Sequence, residues 1–94
     1  MNLQQIMEHP QVTVVDVRTV EEFEMGHYPG AQNMPLHRIP YLMDDIKHMS
    51  KPIVFYCRSG NRSGQAVAYL HQHGFESIYN GGGLEEMFLI KQPQ

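Results

Sequence analysis

The sequence predicts an α/β fold: a three-layer α/β/α sandwich with a mostly parallel central sheet. Three observations carry that expectation. Apolar, β-branched runs alternate with helix-spaced patterns along the chain. The first strong run, VTVVDVR (12–18), is nearly continuous valine with no clean polar alternation, as expected of a strand covered on both faces. Glycine and proline then punctuate the chain between the runs, which sets the element boundaries.

Directly after VTVVDVR comes TVEEFEMG (19–26). Thr19 and Glu22 are spaced as a capping box, each side chain satisfying a free backbone N–H of the first helical turn, and Gly26 supplies a stop. HYPGAQNMPL (27–36) reads as a turn, a short extended piece and an exit, because Pro29-Gly30 and Pro35 interrupt it. HRIPYLMDDIKHM (37–49) has apolar residues at 39, 42, 43 and 46, a helical spacing, with Pro40 tolerable in a first turn. KPIVFYC (51–57) is the second strong strand, with Pro52 at its edge. Ser63 to His73 places Ala66, Val67 and Leu70 on one helix face, and Gly74 ends it. FESIYN (75–80) reads as a last strand, GGG (81–83) as a flexible hinge, and LEEMFLIK (84–91) as a final short helix.

Ninety-four residues leave room for one hydrophobic core, so residues 1–94 are expected to form a single domain. The composition, 41% hydrophobic and 18% charged, is that of an ordinary folded protein. Net charge is −3 with Lys and Arg dispersed, which argues against nucleic acid as a partner and makes any anion site local. No apolar run approaches the roughly 20 residues that span a bilayer, and MNLQQIMEHP lacks signal-peptide regions. A cytoplasmic, membrane-free monomer is the default expectation. The single cysteine precludes an internal disulfide and any mechanism that needs a second, resolving cysteine in the chain.

That cysteine lies in YCRSGNRSG (56–64), where the second strand runs into a helix. In parallel sheets ligands bind beyond the carboxyl ends of the strands, and Cys57 sits at such an end. A free thiol, with a pKa of about 8.5, is mostly protonated at neutral pH and needs help to become a nucleophile. The loop offers three kinds of help. Successive backbone N–H groups can curl into a nest, with Gly60 and Gly64 permitting the turn. A helix starting near Arg62 or Ser63 points its positive end at the sulfur. Arg58 and Arg62 add full charges. A cysteine that merely fills the core needs none of these neighbours. Cysteine-dependent phosphatases space the cysteine and arginine by five residues, whereas here four intervene. The tighter cradle suits a sulfur atom carried on the cysteine better than a bound phosphate.

The chain resembles the single-domain rhodaneses, a sulfurtransferase family. The resemblance rests on VDVR (15–18 with Val15, Asp16 and Arg18), on EEFEMGHYPGAQNMPL (21–36), which is close to E-x-x-x-G-H-I-P-G-A-x-N-x-P, on CRSGNRS (57–63), and on the late GGG. It implies that the Cys57 thiolate takes the sulfane sulfur of a donor such as thiosulfate, releases sulfite and holds a persulfide. A thiophilic acceptor, cyanide in an assay or a thiol or protein thiol in the cell, then collects it. Arg58, Ser59, Gly60, Asn61, Arg62 and Ser63 would bind substrate and stabilise the anion, the two arginines orienting an anionic donor. No metal or organic cofactor is implied. Two other classes share the fold: a non-enzymatic binding or regulatory module, typical where the cysteine is lost, and a phosphatase or arsenate reductase. Cys57 in an intact cradle counts against the first. Loop length and the missing second cysteine count against the others.

Tyr28 stands where the family usually has Ile or Val, Leu84 follows the glycines where many members carry Trp, and the segment before the first strand is short, so the expected leading helix is LQQIM (3–7). Among the six histidines no pair is spaced for a metal; His71 and His73 point to different sides of a helix. His27 is read as a structural hydrogen-bonding residue at its turn, Asp16 and Arg18 as support for the strand end, the seven methionines as core filling, and Glu85 and Glu86 as a solvated helix start.

Overall fold

The computed structural model describes residues 2–90. Four strands form one sheet: β1 (Thr13–Asp16), β2 (Gln32–Asn33), β3 (Ile53–Cys57) and β4 (Ile78–Gly83). Their order is β2-β1-β3-β4, and all three pairings are parallel. Five α-helices connect or flank them among the described residues: α1 (Leu3–Met7), α2 (Val20–Glu24), α3 (Met43–Lys47), α4 (Asn61–Gln72) and α5 (Leu84–Leu89).

The nearly continuous valine run has its explanation in the two cores. On one face Val15, Val17, Phe55 and Cys57 pack with Ile46 of α3 and with Ala66 and Leu70 of α4. On the other, Val14, Val54 and Tyr56 pack with Ile6 and Met7 of α1 and Met87 of α5. Both sides of β1 and β3 are therefore apolar, and each large side chain so buried contributes about 1.5–3 kcal/mol. Thr19 caps α2 as its spacing predicts: it accepts from the Glu22 N–H at 3.2 Å while Glu22 Oε1 accepts from the Thr19 N–H at 3.1 Å.

Four expectations are corrected. The segment around Pro40 is not the first turn of one helix; a 3₁₀ helix spans Leu36–Tyr41 with Pro40 inside it, and α3 begins only at Met43. Proline lacks the N–H that an α-helical interior requires, so the chain restarts its helix after Leu42. Helix α4 starts at Asn61, two residues before Ser63, because Gly60 takes the cap position with φ +97°. Gly81–Gly83 are not a hinge: they complete β4, with Gly82 opposite Tyr56 and Gly83 opposite Cys57. A Cβ on Gly83 would run into the Arg58 carbonyl, so glycine here lets β4 approach the residue after the cysteine. Met25 fills no core; it is 90% exposed. The expected last helix agrees as far as Leu89, and Lys91 lies outside the described residues.

Candidate active site

Strand β3 ends on Cys57, which lies opposite Gly83 of β4, while Tyr56 just before it lies opposite Asp16 of β1. The cysteine is wholly buried, whereas Arg58, Ser59 and Asn61 around it are exposed. Its sulfur accepts from the Gly60 N–H at 3.0 Å and the Ser63 N–H at 3.5 Å, and lies 3.4 Å from the Ser63 hydroxyl, whose single proton is shared between the sulfur and Asn80 Oδ1. The 12-residue helix α4 starts in this loop, so its positive end lies beside the sulfur. Burial pushes the Cys57 thiol up, but the Ser63 hydroxyl and the N–H groups of Ser63, Ser59 and Gly60 outweigh it, and the thiol ends below its ordinary value. Gly60 has a second constraint: a Cβ there would lie 3.2 Å from the Gly82 Cα.

The loop is held from outside by two residues that sequence reasoning assigned no place in the site. Asn80 on β4 donates from Nδ2 to the Gly60 carbonyl at 3.0 Å, and its Oδ1 accepts from the Ser63 hydroxyl at 2.7 Å and the Gly82 N–H at 2.9 Å. Glu22 accepts from both terminal nitrogens of Arg62, Nη1 at 2.7 Å and Nη2 at 3.0 Å. Arg62 is thus a fork paired with a carboxylate, not a free cation over the sulfur. Its pKa is raised, first by the Glu22 hydrogen bonds and then by the nearby Glu22, Cys57 and Asp16 charges, against some desolvation. The Asn61 side chain turns to its own helix and accepts from Gln65 at 3.1 Å.

A cleft of about 590 Å³ opens at this edge of the sheet, lined by Arg18, Glu22, Met25, Arg58, Ser59, Leu84 and Glu85. A second depression of about 620 Å³, lined by Lys47, Lys51 and His73 among others, lies with Lys51 and Ser77 at the opposite, amino ends of β3 and β4, away from the cysteine. The cleft is where a reagent can approach the loop. No group of three or more His, Cys, Asp or Glu side chains able to hold a metal occurs among the described residues.

The Rhodanese-like domain family profile matches residues 2–87. The chain belongs to that family. It is 42% identical over 77 residues to a sulfurtransferase of Allochromatium vinosum, covering 82% of this chain and 71% of that one. A rhodanese from E. coli superposes with a TM-score of 0.74 at 30% identity, over 87% of this chain and 94% of the other. The tRNA uridine(34) hydroxylase of Yersinia pestis is 34% identical over 88 residues, but this chain spans only 25% of its length. Rhodanese-like domains therefore occur alone and as parts of larger proteins.

The other landmarks of the rhodanese-like resemblance surround a second, buried group of polar atoms. Asp16 accepts from the Arg18 N–H at 2.8 Å, from Arg18 Nη2 at 2.7 Å and from the Tyr56 hydroxyl at 2.7 Å. Tyr56 in turn accepts from the Tyr28 N–H at 2.9 Å, and Arg18 donates to the Gly26 carbonyl at 2.7 Å. Burial, chiefly, pushes the Tyr56 phenol up to about 12, so it stays protonated and keeps donating. Asp16 and Arg18 thereby tie the end of β1 to the turn after α2. His27 stacks on Phe23 at 3.7 Å, and its Nδ1 contacts the Phe23 carbonyl at 2.9 Å. Its contacts are those of a turn-fixing residue. His71 and His73 are exposed and contact the backbone carbonyls of Phe75 and Tyr69. Among the described residues no helix is long and apolar enough to cross a membrane.

Proposed function

We propose that this chain, acting as one rhodanese unit, is a sulfurtransferase that carries sulfane sulfur on Cys57. The observation that carries the reading is the set of donors aimed at Sγ, from Gly60 and Ser63, at the positive end of α4. A core cysteine has no use for them. A transferred sulfur does, because the thiolate and the persulfide are both anions that need fixed donors in a water-poor place.

In the first half-reaction the Cys57 thiolate attacks the outer sulfur of thiosulfate. The S–S bond of the donor breaks, sulfite leaves with the electron pair, and Cys57 retains –S–S⁻. In the second, cyanide or a thiolate attacks that outer sulfur, and the Cys57 thiolate is the leaving group. The chemistry is two-step covalent catalysis, so ping-pong kinetics are expected. Gly60, Ser63 and Ser59 would stabilise the sulfur anion. Arg58 and Ser59, which line the cleft, would meet the donor first. The Allochromatium vinosum relative is a sulfurtransferase, and the E. coli relative is a rhodanese described with anions, which supports an anion-holding loop in this chain as well.

Intact-mass measurement after incubation with thiosulfate tests the reading. The expected result is a gain of one sulfur atom, about 32 Da, that cyanide removes and that Cys57→Ser abolishes. No gain with any sulfane-sulfur donor would sink it.

A further inference from the structure

We propose that Glu22 is a specificity-determining residue: by neutralising Arg62 it turns the cleft against doubly charged sulfur donors and favours singly charged or uncharged ones. The proposal rests on the sulfur-transfer reading above and narrows its substrate class.

The cleft contains the carboxylate of this pair and not the arginine: Glu22 lines it, whereas Arg62 is not among its walls. Both terminal nitrogens of Arg62 are engaged, at 2.7 and 3.0 Å. Glu22 is itself fixed from the other side by the Thr19 N–H at 3.1 Å and the Thr19 hydroxyl at 3.2 Å, so the pair does not have the loose geometry of a casual surface contact. Arg18, the second guanidinium at the cleft, is committed to Asp16 and the Gly26 carbonyl. Arg58 is in no ion pair among the described residues, but the exposed Glu85 stands in the same cleft. The formal charges at the entrance therefore cancel. The remaining walls are apolar, with Met25 90% exposed and Leu84 beside it. Backbone donors at the sulfur suit one negative charge at the reacting atom. A dianion brings a second, and the one cation of the cleft outside an ion pair, Arg58, shares that cleft with the Glu85 carboxylate.

Two donors that react alike but differ by one charge test this. Thiosulfate is a dianion and methanethiosulfonate a monoanion. In both, the Cys57 thiolate attacks the terminal sulfur and the S–S bond breaks, releasing sulfite or methanesulfinate with the electron pair and leaving Cys57–S–S⁻. Glu22→Gln removes one negative charge and keeps an oxygen to accept from the Thr19 N–H. Because Coulomb energy is linear in the donor's charge, the gain for the dianion is the square of that for the monoanion: roughly tenfold in kcat/KM for thiosulfate against roughly threefold for methanethiosulfonate. The ratio between the donors should thus shift about threefold toward thiosulfate, a change that general loosening of the loop would not produce. Adding Arg62→Gln to Glu22→Gln should return the ratio to the wild-type value. Loading of Cys57 from both donors with an unchanged ratio in a folded Glu22→Gln protein would overturn this proposal alone. Loading from neither donor in the wild-type protein would overturn the sulfur-transfer reading and this proposal with it.

Discussion

Asp16–Arg18 and Glu22–Arg62 join the same functional groups at the same distance, 2.7 Å, yet one pair is sealed and the other meets water. The Asp16 and Arg18 side chains are 0% and 8% exposed, and those of Glu22 and Arg62 29% and 33%. The first closes over two residues of sequence and the second over forty. Burial makes Asp16–Arg18 indispensable, because neither charge has water to fall back on. Partial exposure makes Glu22–Arg62 adjustable. Either partner can be removed at modest cost to stability, so the pair is available to set how the cleft treats charge.

The sharpest way to break the contrast is Asp16→Asn. It leaves the Arg18 guanidinium buried without its counter-charge and weakens the acceptor of the Tyr56 hydroxyl. Urea unfolding should show a loss of about 3–5 kcal/mol, against a loss within about 1 kcal/mol for Glu22→Gln. Equal losses would mean that the two pairs do the same job. Tyr56→Phe should fall between them, at about 1–3 kcal/mol, since it strips one donor from Asp16 and leaves the buried Tyr28 N–H without its acceptor. A cost near zero there would show that Asp16 and Arg18 suffice by themselves.

The two pairs also differ in how far they could be read in the sequence. Asp16 and Arg18 end the valine run, so their place at the strand end followed from the strand, and only the Tyr56 hydroxyl that completes their network was hidden. Glu22 was legible in its local role alone. A capping box is a pattern of three residues' spacing, and Thr19 and Glu22 form it. Its contact with Arg62 depends on how α2 lies against α4, which no local pattern encodes. Asn80 was missed for the same reason: its partners, Gly60 and Ser63, are 20 and 17 residues away. The signal that could have found it is a polar residue just before three glycines, where a hinge would need none. Those glycines were misread because a close approach between β4 and Arg58 and a flexible joint call for the same residue. The Cys57 loop was legible because strand end, glycine, serine and helix start all lie within seven residues, the range over which sequence order and spatial order agree.

Acid titration offers the smallest effect and the finest test of the contrast. Hydrogen bonds from Arg62, with help from Thr19 and against some desolvation, hold Glu22 down to about 2 from an ordinary 4.5. A carboxyl depressed in the folded state contributes stability that is complete above its unfolded value and is lost as pH falls from there through the folded value. The window here runs from 4.5 down to about 2. Between pH 5 and pH 2.5 the wild-type protein should lose about 1 kcal/mol more stability than Glu22→Gln, the discount below the full shift reflecting the solvent around the pair. Parallel acid unfolding of the two proteins would mean that the pair contributes nothing to folding. Above that window Glu22 stays ionised and Arg62 stays paired. The charge of the Glu22–Arg62 pair is then constant throughout the neutral range, and donor preference there should change with substitution of Glu22 or Arg62 but not with the ionisation of Glu22.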